Sequence, residues 1–406
     1  MYPPHHYGGY ELSCRDVVER FRRRGHEVTV LTSRLRLPGV TDDDADSDVR
    51  RALHIYYRAE DLYAPPLPVA IRWERGNQHV LRRAMRETRP DVVSIWAMGA
   101  MSFALLTPLA QSGIPLVYCV CDDWLVYGPK VDRWTRFGLE HRRTALAVGR
   151  AARLPVLLPD LGASGTFCFV SESTRRRAEE WSPWSFPDST VVYSGIDTRD
   201  FPVGEQSQPR PWRWRLLYVG RLDERKGIGT AVEALAKLPA EATLAVLGGG
   251  DDRVRRRLEQ RAAELGLGAR VTFDRVARAE LRNRYQDADA LLFPSEWDEP
   301  FGLTPVEAMA CGTPVAATGT GGSAEFLEDG VNCVLFEPGD AAALAAAVSR
   351  LAGDSQLRAR LVANGLVTAR ALDVDHLADT MEEWHVAAAE RFARGRPPHR
   401  VLPTLN

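Results

Sequence analysis

Glu299 and Glu307 are separated by seven intervening residues, Pro300-Phe-Gly-Leu-Thr-Pro-Val306, just after the apolar run Ala290–Phe293. An ionised carboxylate donates no hydrogen bond but accepts two or more hydroxyl donors. One carboxylate at a strand's carboxyl end and one in the helix expected over Pro305–Cys311 suit a ligand rich in vicinal diols. The amides of Phe301, Gly302 and Leu303 fall near that helix's N-terminus, where backbone N–H groups favour an anion. Arg221 and Lys226 follow another apolar run, Leu216–Val219, where α/β domains gather ligands. A planar guanidinium and a point-charge ammonium suit two different phosphate oxygens. Diols plus phosphate fit a nucleotide sugar. The competing readings are plain ones: a solvated loop in which Asp223, Glu224 and Arg225 pair locally, a helix-dipole role for Glu307, and a surface acid at Glu299.

These side chains need strands that end beside one another. Apolar segments alternate with helical ones along the chain, which predicts an α/β fold with parallel sheets. In the first half, strands are expected at Glu27–Leu31, Leu53–Tyr57, Asp91–Ile95, Leu116–Val120, Phe167–Val170 and Thr190–Tyr193, with helices at Ser13–Arg24 and Ile71–Arg86. In the second, strands are expected at Leu216–Val219, Thr243–Leu247, Arg270–Phe273, Ala288–Phe293, Pro314–Ala317 and Asn332–Phe336, followed by helices at Ala341–Ala352 and Val374–Phe392. The polar, proline-bearing segment Pro202–Pro211 reads as a hinge. Gly8 and Gly9 permit close backbone approach, so their amides suit a phosphate, although a plain turn explains them equally.

The spacing of Glu299 and Glu307 resembles the signature of retaining glycosyltransferases of the large family 4 type, the glycosyl transferases group 1. Tyr218–Gly227 resembles that family's loop carrying the Arg and Lys that hold the donor diphosphate. Pro3–Glu11 resembles its N-terminal glycine loop, Val192–Asp197 the segment closing the first domain, and Gly321–Phe326 a loop near the donor. The resemblance implies a GT-B fold: two Rossmann-like domains facing across a cleft, with a C-terminal helix returning to the first. The expected bounds are 1–203 for an acceptor-side domain, 204–373 for a nucleotide-sugar domain, and 374–406 for the returning helix and tail. It further implies sugar transfer from a nucleoside-diphosphate sugar to an acceptor hydroxyl with retention. No enzymic nucleophile, metal or cofactor is required. Arg221, Lys226 and Glu299 become catalytic candidates; Glu299 would bind the transferred sugar and Glu307 the ribose. The donor site also takes in Gly8, Gly9, Phe301, Gly302, Leu303, and Arg275 and Val276 near the base. A nucleotide-sugar epimerase of the same fold and a silent sugar-nucleotide-binding subunit are the rival readings.

Two departures stand out. Only Met1–Pro4 precede the glycine loop, too few for the opening strand of about five residues, so the true start is expected upstream of Met1, the alternative being a domain that tolerates the loss. At the end of the strand Leu116–Val120, Cys121 stands where relatives often place a His that meets the transferred sugar. A donor lacking a 6-hydroxyl, a substitute role for Asp122, and plain drift all account for it. On the acceptor side, Tyr10, Cys121, Asp122, Trp124 and Tyr127 are the candidates. The donor's base and the acceptor, whether glycan, lipid or small metabolite, stay open.

Composition narrows the classes. Lys and Arg total 52 against 54 Asp and Glu among 406 residues, a formal net charge of -2 that gives no support to a general nucleic-acid binder. No apolar run nears the ~20 residues that span a bilayer, which predicts a cytoplasmic protein. The basic run from 130 to 153, with Arg133, Arg136, Arg142, Arg143 and Arg150 among apolar residues, reads as an amphipathic helix for peripheral membrane contact, a solvated face or an acceptor groove. Six scattered cysteines read as buried thiols. The acidic run Thr41–Asp48 fails the EF-hand pattern, with Val49 and Ile55 at the glycine and glutamate positions, and no metal is expected. Gly248-Gly-Gly-Asp-Asp252 lacks the spacing of a dinucleotide fingerprint.

Overall fold

Ala290–Phe293 is buried at every position, as a central strand covered by helices on both faces must be. A computed structural model of the chain describes residues 1–41, 47–58, 61–152, 154, 160–204 and 211–393. Most of the Asp-rich run and of the expected hinge, 42–46 and 205–210, therefore lie outside the described residues. The chain divides into two compact units, Met1–Tyr193 together with the segment from Leu377, and Ser194–His376.

In the second unit, six parallel strands make one sheet: β7 (Arg215–Val219), β8 (Thr243–Leu247), β9 (Val271–Asp274), β10 (Ala290–Phe293), β11 (Val315–Ala317) and β12 (Val334–Leu335). Their order is β9-β8-β7-β10-β11-β12. The order reverses between β7 and β10, and doubly wound sheets bind ligands outside the strand ends at that point. Helices α7 (Ile228–Leu235), α8 (Asp252–Glu264), α9 (Arg278–Asp287), α10 (Leu303–Ala310), α11 (Ala341–Gly353) and α12 (Ser355–Ala371) belong to this unit. The core joins Leu216, Tyr218, Leu244, Val246 and Leu292 of the sheet to Ile228, Val232, Leu344 and Val348 of the helices.

The first unit opens with α1 (Gly9–Arg23) and contains two parallel sheets. One pairs β1 (Val30–Ser33) with β2 (Val49–Leu53); the other runs β3 (Val93–Ile95), β4 (Leu116–Val120), β5 (Thr166–Phe169), β6 (Ser189–Val191). No strand joins the two sheets among the described residues. Residues Met1–Gly8 contribute an isolated Tyr2–His5 bridge, and Arg51 of β2 donates to the Tyr2 carbonyl at 2.8 Å. The expected strand Leu53–Tyr57 is corrected to Val49–Leu53: Arg50 and Arg51 lie inside it, a polar stretch that apolar patterning passes over. The stretch 130–153 is corrected from one amphipathic helix to pieces of three: α3 (Trp124–Val131), α4 (Arg133–Glu140) and α5 (Arg142–Ala152). Asp132 ends α3 and caps α4 by accepting from the Thr135 amide at 2.8 Å, and Trp134 turns into the core. The helix α13 (Val374–Ala393) packs on this unit, with His26 bonded to Glu382 at 2.6 Å and Phe21 edge-on to His385. Among the described residues no helix is long and apolar enough to cross a membrane.

Helix α2 (Leu67–Thr88) supplies a buried charge problem. Glu74 is 0% exposed, accepts from the Tyr56 hydroxyl at 2.5 Å, and has its other oxygen unpartnered. Burial pushes its pKa up from 4.5 to about 7. The folded chain therefore holds this proton through a range where the unfolded chain has lost it, so stability falls as pH rises between about 4.5 and 7 and levels above. Glu74→Gln, which needs no proton, is expected to gain about 3 kcal/mol relative to wild type across that window. Denaturant melts at several pH values check this, and a difference that does not change with pH contradicts it.

Candidate functional site

The loops after β7 and β10 meet at the sheet's reversal point, and glycine makes the meeting possible. Gly227 has φ +66°, and a Cβ added there would lie 1.8 Å from the Pro294 carbonyl oxygen. Between Gly220 and Gly227, Asp223 caps a short turn, accepting from the Arg225 amide at 3.1 Å, and Leu222 donates its amide to the Gly249 carbonyl at 2.8 Å. The Gly248–Gly250 loop thus supports its neighbour by close backbone packing. The Glu296 amide donates to the Arg225 carbonyl at 2.8 Å, tying the β10 loop to the β7 loop.

Both carboxylates of the spaced pair are buried, Glu299 at 3% and Glu307 at 4% exposure. One oxygen of Glu299 accepts from Lys226 Nζ at 2.6 Å and Ser295 Oγ at 2.7 Å. Glu307 accepts from Arg278 Nη1 at 3.0 Å on one oxygen and from the Tyr285 hydroxyl at 2.7 Å on the other. Burial and the nearby Glu307 charge raise the Tyr285 pKa well above its usual value, so this phenol stays a donor. The plain readings of the two acids fail here. Glu299 is no surface acid, and Glu307 sits in the second turn of α10, turned into the protein instead of spread over the helix end. Buried carboxylates with cationic and hydroxyl partners are prepared acceptors, since leaving one unpaired costs several kcal/mol.

The plain reading of the cationic loop holds in part. Arg225 takes both oxygens of Asp223, at 3.1 and 2.7 Å, and that pairing lowers the Asp223 pKa. Arg221 reaches the same carboxylate at 3.5 Å and keeps 53% of its side chain exposed. Lys226 instead points to Glu299, so the loop sends its cations to different carboxylates. Gly302 precedes α10 at φ +96°, and Leu303 opens the helix. Phe301 contributes its backbone here, because its ring is buried 5.0 Å from that of Phe326. Arg275 and Val276 follow β9, with Arg275 exposed and Val276 half-buried. The Gly321–Glu325 turn closes on Glu299 itself: the Gly322 amide donates to the Glu299 carbonyl at 2.6 Å, and a Cβ on Gly321, at φ +57°, would strike that residue's backbone.

The remaining candidates lie in the first unit. Gly8 caps α1 with φ −157°, an extended backbone open to any residue, and a Cβ there would meet nothing closer than Glu11 at 3.9 Å. Gly9 is the first residue of α1. Tyr10 is half-buried against Trp96 and donates to the Cys119 carbonyl. Cys121 is a half-buried free thiol whose pKa burial drives well up. Asp122 accepts from the Trp124 amide and the Tyr127 hydroxyl, both at 3.1 Å, and burial pushes its pKa to about 6. Trp124 requires a correction. It is 0% exposed, edge-on to Phe103 at 5.5 Å, and so belongs to the core, where it cannot wall an acceptor pocket.

Sequence reasoning missed Ser295, Arg278 and Tyr285. Arg278 and Tyr285 are seven residues apart, two turns of α9, which puts them on one face toward Glu307. That spacing was present in the sequence but carried no sign of its partner. Among the described residues, no group of three or more His, Cys, Asp or Glu side chains is placed to hold a metal ion.

Comparison with known proteins agrees with this architecture. Residues 7–200 match the model of Glycosyltransferase Family 4, and residues 205–367 that of Glycosyl transferases group 1. The D-inositol 3-phosphate glycosyltransferase of Xylanimonas cellulosilytica is 38% identical over 179 residues, 43% of each chain, so that match spans less than half of the relative. Sucrose-phosphate synthase from Thermosynechococcus elongatus superposes with a TM-score of 0.71 at 24% identity, covering 96% of this chain and 94% of the other. Anabaena HepE, solved in complex with UDP and glucose, superposes with a TM-score of 0.66 at 22% identity over 93% and 95% of the two chains. The two family models, together with two α/β units built on parallel sheets, place the chain in the glycosyl transferases group 1, with a GT-B fold.

Proposed function

We propose that the chain moves a sugar from a nucleoside-diphosphate sugar to an acceptor hydroxyl, with retention of configuration and without a metal. The observation that supports it most is the Lys226–Glu299 contact of 2.6 Å at the point where the sheet order reverses. In this reading Arg221 and Lys226 hold the diphosphate, and the amides of Phe301, Gly302 and Leu303 face the same charge. Glu299 accepts from hydroxyls of the transferred sugar, and Glu307 from the ribose. Arg275 and Val276 offer backbone near the base.

Negative charge grows on the leaving diphosphate as the glycosidic bond breaks, and preorganised cations favour that state over the ground state. Lys226 is suited to both ends of the bond: one N–H holds Glu299, leaving others for phosphate. The acceptor hydroxyl attacks the face that the phosphate leaves, and a donor phosphate oxygen takes its proton. Tyr10, Cys121 and Asp122 remain the acceptor-side residues in this proposal, with Trp124 withdrawn. A cytoplasmic location goes with it. Peripheral membrane contact through 130–153 also stays within the proposal: the three short helices there expose Leu139, Leu146 and Val148, while Trp134 belongs to the core.

A matrix of nucleotide sugars and acceptors tests the reading. Nucleoside diphosphate is expected only when acceptor is present, and NMR of the product is expected to show the donor's anomeric configuration. Release without acceptor product, or an inverted anomer, contradicts it. The epimerase would instead convert the donor with no acceptor, and the silent subunit would turn nothing over.

A further inference from the structure

We propose that Trp297 is a positioning residue for the cationic loop that carries Lys226, holding Arg225 and Lys226 by its ring face without adding a negative charge. The inference rests on the donor-site reading above and adds a residue to it. Arg225 Cζ lies 4.4 Å from the centroid of the Trp297 ring, and Lys226 Nζ lies 5.3 Å from it. An aromatic face attracts a cation through its quadrupole but carries no net charge. A carboxylate in that place would hold the cations and also neutralise them, competing with the diphosphate for the same charge. Arg225 and Lys226 already pair with Asp223 and Glu299, and the ring adds a hold on both side chains without a further negative charge.

The surrounding contacts fix the backbone that carries the ring. Thr320 donates its hydroxyl to the Trp297 carbonyl at 2.7 Å, and the Thr230 hydroxyl reaches the neighbouring Glu296 carboxylate. The indole Nε1 is buried without a hydrogen-bond partner, so packing and the two cations set the ring's place. The consequence extends to Arg221. With Arg225 held between Trp297 and Asp223, both oxygens of Asp223 are occupied, and Arg221 makes only a 3.5 Å contact with it. Without the ring, Arg225 loosens, Asp223 becomes available to capture Arg221, and Lys226 loses one of its two supports.

The test replaces Trp297 with tetrafluorotryptophan, which keeps the shape of the ring and removes its negative face. Affinity for UDP or GDP, whichever the wild type binds more tightly, is expected to weaken on the order of tenfold, as two cation–π contacts allow. The donor KM should rise in step, while the thermal midpoint stays within a degree or so. Trp297→Phe should fall between the two, and Trp297→Leu should lose at least as much as the fluorinated form. Unchanged nucleotide affinity in the fluorinated protein would overturn the proposal, and needs no mutant of altered size. Lys226→Ala run in parallel separates the causes: a loss there with none in the fluorinated protein rejects the ring alone. No loss in either rejects the phosphate assignment and the ring's role with it.

Discussion

Lys226→Ala should lower kcat/KM for sugar transfer by about 10²–10³, the usual cost of removing one preorganised donor from a developing charge. The geometry gives this variant two separate losses. The ammonium that faces the departing diphosphate disappears, and Glu299, 3% exposed, loses its cationic partner. Ser295 still donates to the same oxygen at 2.7 Å, so the carboxylate keeps one hydrogen bond. A double-mutant cycle with Glu299→Gln separates the two losses, because the neutral amide has no need of an ammonium. If Lys226 acts only by pairing Glu299, the double variant should be no worse than Glu299→Gln. The account expects a further loss of at least tenfold in the double variant, seen mainly in kcat, since the phosphate contact strengthens in the transition state.

Glu307→Ala should raise the donor KM by on the order of 10², since two hydroxyls would lose a charged acceptor at roughly 1.5–3 kcal/mol each, partly offset by water. Here too folding and binding must be told apart. The change strips Arg278 and the fully buried Tyr285 hydroxyl of their shared acceptor, so some stability goes with it. Glu307→Gln keeps an acceptor for one of them and removes the ion pair. It should fold closer to wild type while still binding donor more weakly, with kcat less affected than KM. Steady-state kinetics over a donor series, with melts of each variant, check this. A stable Gln variant with unchanged donor KM would remove the ribose assignment.

The sequence showed the chemical types at this site better than their partners. The spacing of Glu299 and Glu307 survives because an eight-residue offset across one loop and one turn of helix is local geometry. Arg278, Tyr285 and Ser295 are not visible that way, since their meaning lies in contacts made across the fold. Strands tell the same story. Leu116–Val120 and Thr243–Leu247 are read to the residue, because short apolar runs between polar segments mark buried parallel strands. Val49–Leu53 pairs with a single neighbour and carries Arg50 and Arg51, so its pattern resembles a loop. Trp124 failed for a related reason: an aromatic beside a carboxylate looks like a pocket wall until Phe103 and Tyr118 are seen closing over it. Asp132, which divides the basic stretch, is an ordinary cap once α4 is known to start there.

The central claim is that Arg221 and Lys226 take the diphosphate while Glu299 and Glu307 take the sugars on either side of it. A crystal structure with the bound nucleoside diphosphate, soaked with the intact donor, measures it directly. The account predicts phosphate oxygens within hydrogen-bond distance of Lys226 Nζ and the Arg221 guanidinium, with ribose hydroxyls on Glu307. A nucleotide seated away from these four residues, at full occupancy, would contradict it.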